Sequence, residues 1–192
     1  MSKTRNTGGN AMSKGEGPTQ VFRRKKTQTR RWLVFYTRAR AEKKVERRLR
    51  EAEIDVFLPT CIVKRQWSDR IKKVELPLFP NYIFARVNEK ERIKVLRTNG
   101  IATIVTFRGK PAELPEETIQ QLKFTQKDPE TLERLSDQRP PLGSKVKVTS
   151  GPMEGLTGHI LEHRGEINVV VQVEAIQQAV KVSLSNAEVE EL

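Results

Sequence analysis

One hexapeptide constrains the fold more than any other stretch of the chain. In Tyr82-Ile-Phe-Ala-Arg-Val87 the apolar residues are mostly aromatic or β-branched, which predicts a strand. Side chains alternate along a strand, so Tyr82 and Phe84 face one way and Ile83, Ala85 and Val87 the other. One aromatic face and one aliphatic face both need to leave water. The aliphatic side calls for a helix-packed core. The aromatic side, with Phe79 just before it, leaves two readings open: a second layer that buries it, or a patch kept for a partner.

The flanking segments supply the cover. Trp32-Leu-Val-Phe-Tyr-Thr37 reads as a second buried strand. Ala41 to Ala52 predicts a helix with Ala41, Val45, Leu49 and Ala52 on one narrow face and Arg40, Lys43, Lys44, Arg47 and Arg50 opposite. Val56–Val63 predicts a strand interrupted by Pro59, joined by a turn near Ser68-Asp69 to Ile71–Leu76. Glu89–Leu96 predicts a helix stopped at Asn99-Gly100, and Ile101–Phe107 a strand closed by Arg108-Gly109-Lys110-Pro111. Pro115-Glu116-Glu117 opens a last helix, with Pro at or near its first position, running to Lys127.

Residues 32–127 thus read β-α-β-β-β-α-β-α, an α+β domain with helices packed on a mixed sheet. Residues 128–142, with Pro129, Pro140 and Pro141, read as a linker. From Gly143 the pattern changes to short β segments at Lys145–Thr149, Gly158–His163, Ile167–Val173 and Ala179–Leu184, as in a small barrel over residues 143–192.

Charge narrows the partners. The chain has 192 residues and a formal net charge of +12. Residues 1–31 hold nine basic side chains and one acid, with too few large apolar residues to fold. A disordered basic tail is predicted, either a solubilising segment or a non-specific phosphate tether. Residues 139–192 are slightly acidic, with five bases and seven acids. No stretch approaches the roughly 20 apolar residues of a membrane span. The single cysteine, Cys61, excludes an internal disulfide framework and fits a reducing cytoplasm. A soluble, cytoplasmic, monomeric protein with nucleic acid among its partners is expected.

Catalytic constellations are missing. His159 and His163 are the only histidines, too few with one distant cysteine for a zinc site. No phosphate loop or nucleophile elbow occurs. A binding protein without metal or cofactor is expected, not an enzyme. Residues 38–50 carry seven bases and two acids, either a solvated face or a phosphate-contact surface built from Arg38, Arg40, Lys43, Lys44, Arg47 and Arg48.

These motifs resemble the NusG family of transcription elongation factors. Trp32-Leu-Val-Phe-Tyr36, Glu42-Lys-Lys-Val-Glu-Arg-Arg-Leu49 and Phe57-Leu-Pro59 are similar to the opening elements of its N-terminal (NGN) domain, and Leu78-Phe-Pro-Asn-Tyr-Ile-Phe84 to its most recognisable motif. Gly143-Ser-Lys-Val-Lys-Val-Thr-Ser-Gly-Pro-Met-Glu-Gly-Leu-Thr-Gly158 resembles a KOW motif, which implies an SH3-like barrel. Its Gly151, Pro152, Gly155 and Gly158 are structural, the glycines permitting positive-φ turns.

The resemblance implies that Tyr36, Phe79, Tyr82, Phe84 and Phe107 grip the β′ clamp helices of bacterial RNA polymerase. It also implies that the basic helix faces upstream or non-template DNA, with Arg38, Lys44 and Arg48 foremost. In RfaH-type paralogues a His-Thr-Thr run touches the β-subunit gate loop; here the corresponding helix reads Arg92-Ile-Lys-Val95. General NusG proteins use a Phe-Gly-Arg type loop with ribosomal protein S10 or Rho, where this chain has Ile176-Gln177-Gln178. Phe79-Pro-Asn-Tyr82 and Arg65-Gln-Trp-Ser-Asp-Arg70 resemble specialised antiterminators of polysaccharide loci. Transcription antitermination by a specialised paralogue is the implied function. The alternatives are a housekeeping NusG linking polymerase to Rho or the ribosome, and an RNA- or ribosome-binding KOW protein.

Overall fold

The structure, a computed structural model, describes residues 29–67, 69–135, 143–163, 166–184 and 188–192. The expected disordered tail therefore lies almost wholly outside the described residues. The first domain contains β1 (Arg31–Thr37), α1 (Glu42–Glu51), β2 (Asp55–Phe57), β3 (Thr60–Gln66), β4 (Ile71–Pro77), β5 (Tyr82–Val87), α2 (Glu89–Leu96), β6 (Ile101–Ile104), β7 (Thr106–Phe107), β8 (Lys110–Pro111), β9 (Glu113–Leu114) and α3 (Glu116–Thr125). After it come β10 (Leu132–Leu135), β11 (Lys145–Val148), β12 (Thr157–His163), β13 (Glu166–Val173), a 3-10 turn at Glu174–Ile176, β14 (Gln178–Ser183) and β15 (Val189–Glu191). The α+β class is as the sequence predicts.

The main sheet has the order β2-β5-β1-β6, with β9 also bonded to β1. Every pairing within it is antiparallel, where a mixed sheet was expected. The reason is that two crossovers interleave. Helix α1 joins β1 to β2, which run the same way, and β5 fills the gap between them. Helix α2 joins β5 to β6, with β1 in that gap. Hydrogen-bonded neighbours thus come from opposite units and run in opposite directions.

Both crossover helices cover the aliphatic face. Leu33, Phe35, Ile83, Ala85 and Val87 share one core with Val45 and Leu49 of α1 and Val95 of α2. The start of α2 is fixed by a capping box, in which Asn88 accepts from the Lys90 and Glu91 N–H groups and Glu91 accepts from that of Asn88. On the other face Trp32, Val34, Phe84 and Leu114 pack with Ile119 and Leu122 of α3. The same core continues into Val169, Val171, Val180 and Val182 of the second domain, because α3 packs on β13. A second layer therefore buries the aromatic face at Trp32, Val34 and Phe84, but leaves its Tyr36–Tyr82 end partly exposed.

Prolines and edges explain the departures from the predicted elements. Pro59 ends β2, and β3 leaves the main sheet to pair only with β4. The expected strand Ile101–Phe107 is split at Val105, whose N–H donates to the Val34 carbonyl while its own carbonyl accepts from Ala112. The chain then turns through Arg108 (φ 50°) and Gly109 (φ 77°) into the β7–β8 ribbon. Pro115 is the N-cap of α3, next to its first helical residue, in keeping with a proline at or near the first position, while the helix ends at Thr125 rather than Lys127.

The linker is shorter than expected. Residues Leu132–Leu135 form β10, which pairs antiparallel with the edge of β14. Leu132 is buried there, and the pairing satisfies an edge that would otherwise leave peptide groups unbonded. The second domain's sheet has the order β10-β14-β13-β12-β11-β15. Val169, Val170 and Val171 are all buried, so β13 is covered on both faces.

The KOW glycines divide into two kinds. Gly151 (φ 87°) and Gly155 (φ 93°) occupy the left-handed region as expected. Gly158 has no such backbone, contrary to expectation. It is required by close approach, since a Cβ there would lie 2.5 Å from Val169 Cγ1 and 2.6 Å from the Val170 carbonyl oxygen. Gly158→Ala should destabilise the protein by about 1–3 kcal/mol and lower its Tm; an unchanged Tm would contradict this packing.

Candidate functional site

The five aromatic residues singled out in the sequence occupy two levels. Tyr36 of β1 and Tyr82 of β5 are register partners, with ring centroids 5.3 Å apart in an edge-to-face arrangement. Tyr36 is 37% exposed and Tyr82 is half-buried, so together they form a ledge at one end of the sheet. Phe79 and Phe84 lie 6.1 Å apart and are 1% and 0% exposed. They make the floor under the ledge, not its surface. Phe107 stands apart on the β7–β8 ribbon, 60% exposed, with the Arg108 guanidinium 5.2 Å from its ring centroid.

Two further groups brace this floor. Phe57 lies 6.3 Å from Phe84, and Lys123 of α3 sits over both the Trp32 and Phe57 rings at 5.1 and 5.9 Å. The loop leading to Tyr82 is held by Glu42, a buried acid on the first turn of α1. Its Oε1 accepts a 2.8 Å hydrogen bond from the N–H of Asn81, which has a positive φ of 68°. That bond ties the aromatic motif directly to the basic helix. A carboxylate in an otherwise basic run was visible in sequence; its partner 39 residues away was not.

The basic residues are less free than their spacing suggests. Lys43 donates to Glu75 Oε2 at 2.6 Å, and Arg48 Nη1 donates to the Asn99 carbonyl at 2.6 Å. Arg47 and Arg50 face Glu51 and Glu46 at 3.8 and 2.8 Å, one helical turn along. The hydrogen bond from Lys43, followed by that from Thr60, holds the Glu75 carboxyl below the usual carboxylate range. Among the described residues Arg38, Arg40 and Lys44 are exposed and have no acidic partner. Exposed pairs such as those of Lys43 and Arg47 contribute little to stability and exchange readily for other anions.

Residues 30–123 match the family model described as transcription termination factor NusG. Residues 30–123 form a NusG-family domain. Among its relatives, the transcription termination/antitermination protein NusG of Rickettsia bellii is 26% identical over 173 residues, covering 84% of this chain and 90% of the relative. NusG of Lactococcus lactis is 26% identical over 175 residues, covering 84% and 92%. A solved structure described as domain interaction in Thermotoga maritima NusG aligns with a TM-score of 0.48 at 22% identity, over 85% of this chain and 97% of that one.

The family match runs from the residue before β1 into α3, so both levels of the aromatic site and the basic helix lie within it. Among the described residues no cluster of histidine, cysteine or acidic side chains could hold a metal ion. No described helix is long and apolar enough to cross a membrane. The ledge and floor of this NusG-family site should separate in denaturation. Phe84→Ala opens a cavity in the shared core and should cost about 3–5 kcal/mol. Tyr36→Ala should cost less than about 1 kcal/mol. Equal losses in urea titration would contradict the two-level arrangement.

Proposed function

We propose that this chain is a transcription elongation factor that binds bacterial RNA polymerase at the β′ clamp helices and modulates pausing and termination, acting in antitermination as a specialised NusG paralogue. The observation that carries the reading is the Tyr36–Tyr82 ledge: two paired, partly exposed aromatic rings at the end of the two central strands of the sheet, in a domain matched by the NusG model. Paired rings of this kind are typical anchors for an apolar helical surface. Phe79 and Phe84 support the anchor from beneath, and Phe107 extends it at the rim.

The basic helix gives the second contact. Lys44 lies on the helix whose Glu42 holds the Asn81 loop, and Arg38 and Arg40 lie in the turn that leads into it, so a polymerase-bound ledge would carry these cations with it toward upstream or non-template DNA. Lys43, Arg47 and Arg48 join once their weak surface partners exchange for phosphate. The specialised role draws support from the Arg65–Arg70 hairpin sequence and from Ile176-Gln177-Gln178 in place of the loop that general NusG proteins present to ribosomal protein S10 or Rho. The excess of acids over bases in residues 139–192 disfavours direct RNA binding by the second domain.

A Tyr36→Ala, Tyr82→Ala double variant should lose about 30-fold or more in affinity for RNA polymerase core enzyme while keeping its circular dichroism spectrum. Undiminished binding would overturn the proposed ledge contact.

A further inference from the structure

The β3–β4 hairpin has properties that neither the sheet core nor the proposed polymerase contact uses. The two strands pair only with each other, and from Val63 through Lys73 every described residue is exposed. In its register Arg65 lies opposite Lys72, and Lys64 opposite Lys73. Like charges placed directly across a ladder repel, so the hairpin carries a local electrostatic cost that an anionic partner would relieve.

The two faces differ. Lys73, on the same face as Lys64, is paired with Glu130. Alternation puts Val63, Arg65 and Trp67 on the other face, with Lys72 across from Arg65. Trp67 is 58% exposed, and its N–H donates to the Arg70 carbonyl at 2.8 Å to close the turn. Among the described residues Arg65, Arg70 and Lys72 have no acidic partner. One face therefore presents an exposed indole among three unneutralised cations.

We propose that this face of the β3–β4 hairpin binds single-stranded DNA, with Trp67 stacking on an unpaired base and Arg65, Arg70 and Lys72 contacting the flanking phosphates. An indole finds its stacking surface on a base only where the strand is open, which favours single strands over duplex. The choice of DNA rests on the proposed role of α1: Lys43 of that helix is bonded to Glu75 at the root of β4, so the hairpin continues the surface assigned to DNA.

Tryptophan emission reads this directly. The chain has two tryptophans, and Trp32 is 2% exposed, so solvent-exposed emission belongs to Trp67. Titrating the full chain with a twelve-nucleotide oligothymidylate should quench that component, and Trp67→Ala should weaken binding about 5- to 100-fold in fluorescence anisotropy. Arg65→Gln, Lys72→Gln should make the slope of log affinity against log salt shallower by about 1.4, at 0.7 per lost contact. Both variants should bind polymerase as the parent does. Arg38→Gln, Arg40→Gln, Lys44→Gln, which strips cations from α1 and the turn before it, should lower affinity for the oligonucleotide but leave the quenching at saturation intact; loss of quenching at saturation in this triple variant would overturn the proposal. Unquenched emission at saturation, parental affinity of Trp67→Ala, or tighter binding of the matching duplex or oligouridylate would each overturn the proposal.

Discussion

The antiparallel pair β1–β5 is apolar on both faces, and the rest of the molecule follows from covering it. Leu33, Phe35, Ile83 and Ala85 need α1 and α2 on one side. Trp32, Val34 and Phe84 need α3 on the other. A ten-residue helix such as α3 is itself apolar on more than the side facing the sheet, and β13 of the second domain packs against it. Gln121 Nε2 donates to Thr157 Oγ1 at 2.5 Å across that junction. One hydrophobic core thus crosses the boundary between the domains, and β10 reinforces it by pairing with β14.

The candidate site exists where that cover stops. The pairs Val34–Phe84 and Trp32–Arg86 lie along the face covered by α3, but the last pair on this face, Tyr36–Tyr82, keeps a ring partly in water. A surface aromatic pair standing on a buried aromatic floor is rigid before any partner arrives, which lowers the entropy cost of binding. The buried Glu42 extends this rigidity to the loop before β5 and to the helix that bears the cations.

Much of this was legible in the sequence, in the places where local pattern suffices. The limits of β5 and α2 are those the alternation and the Asn99-Gly100 stop predict, and Pro59 breaks its strand as proline must. Alternation also put Tyr82 and Phe84 on the face opposite Ile83, Ala85 and Val87, and Phe84 does pack in a core separate from those three. What it could not assign was depth: Phe79 and Phe84 look like Tyr82 in the sequence, and only the packing of α3 separates floor from ledge. The strand Leu132–Leu135 has no pattern of its own and is made by the free edge of β14. Likewise the neutralisation of Lys43 depends on Glu75, 32 residues away. The resemblance to a KOW motif pointed to the positive φ of Gly151 and Gly155 but not to the crowding at Gly158, which depends on a neighbouring strand.

The continuity of the core is the claim on which the description of both domains rests, and amide hydrogen exchange tests it most directly. Leu122 of α3 is fully buried between the sheet and the second domain, so Leu122→Ala should loosen both sides together. Faster exchange is predicted in β1 and β5 and also in β13, while the β3–β4 hairpin is unchanged. Acceleration confined to β1 and β5, with β13 protected as in the parent, would contradict a single core.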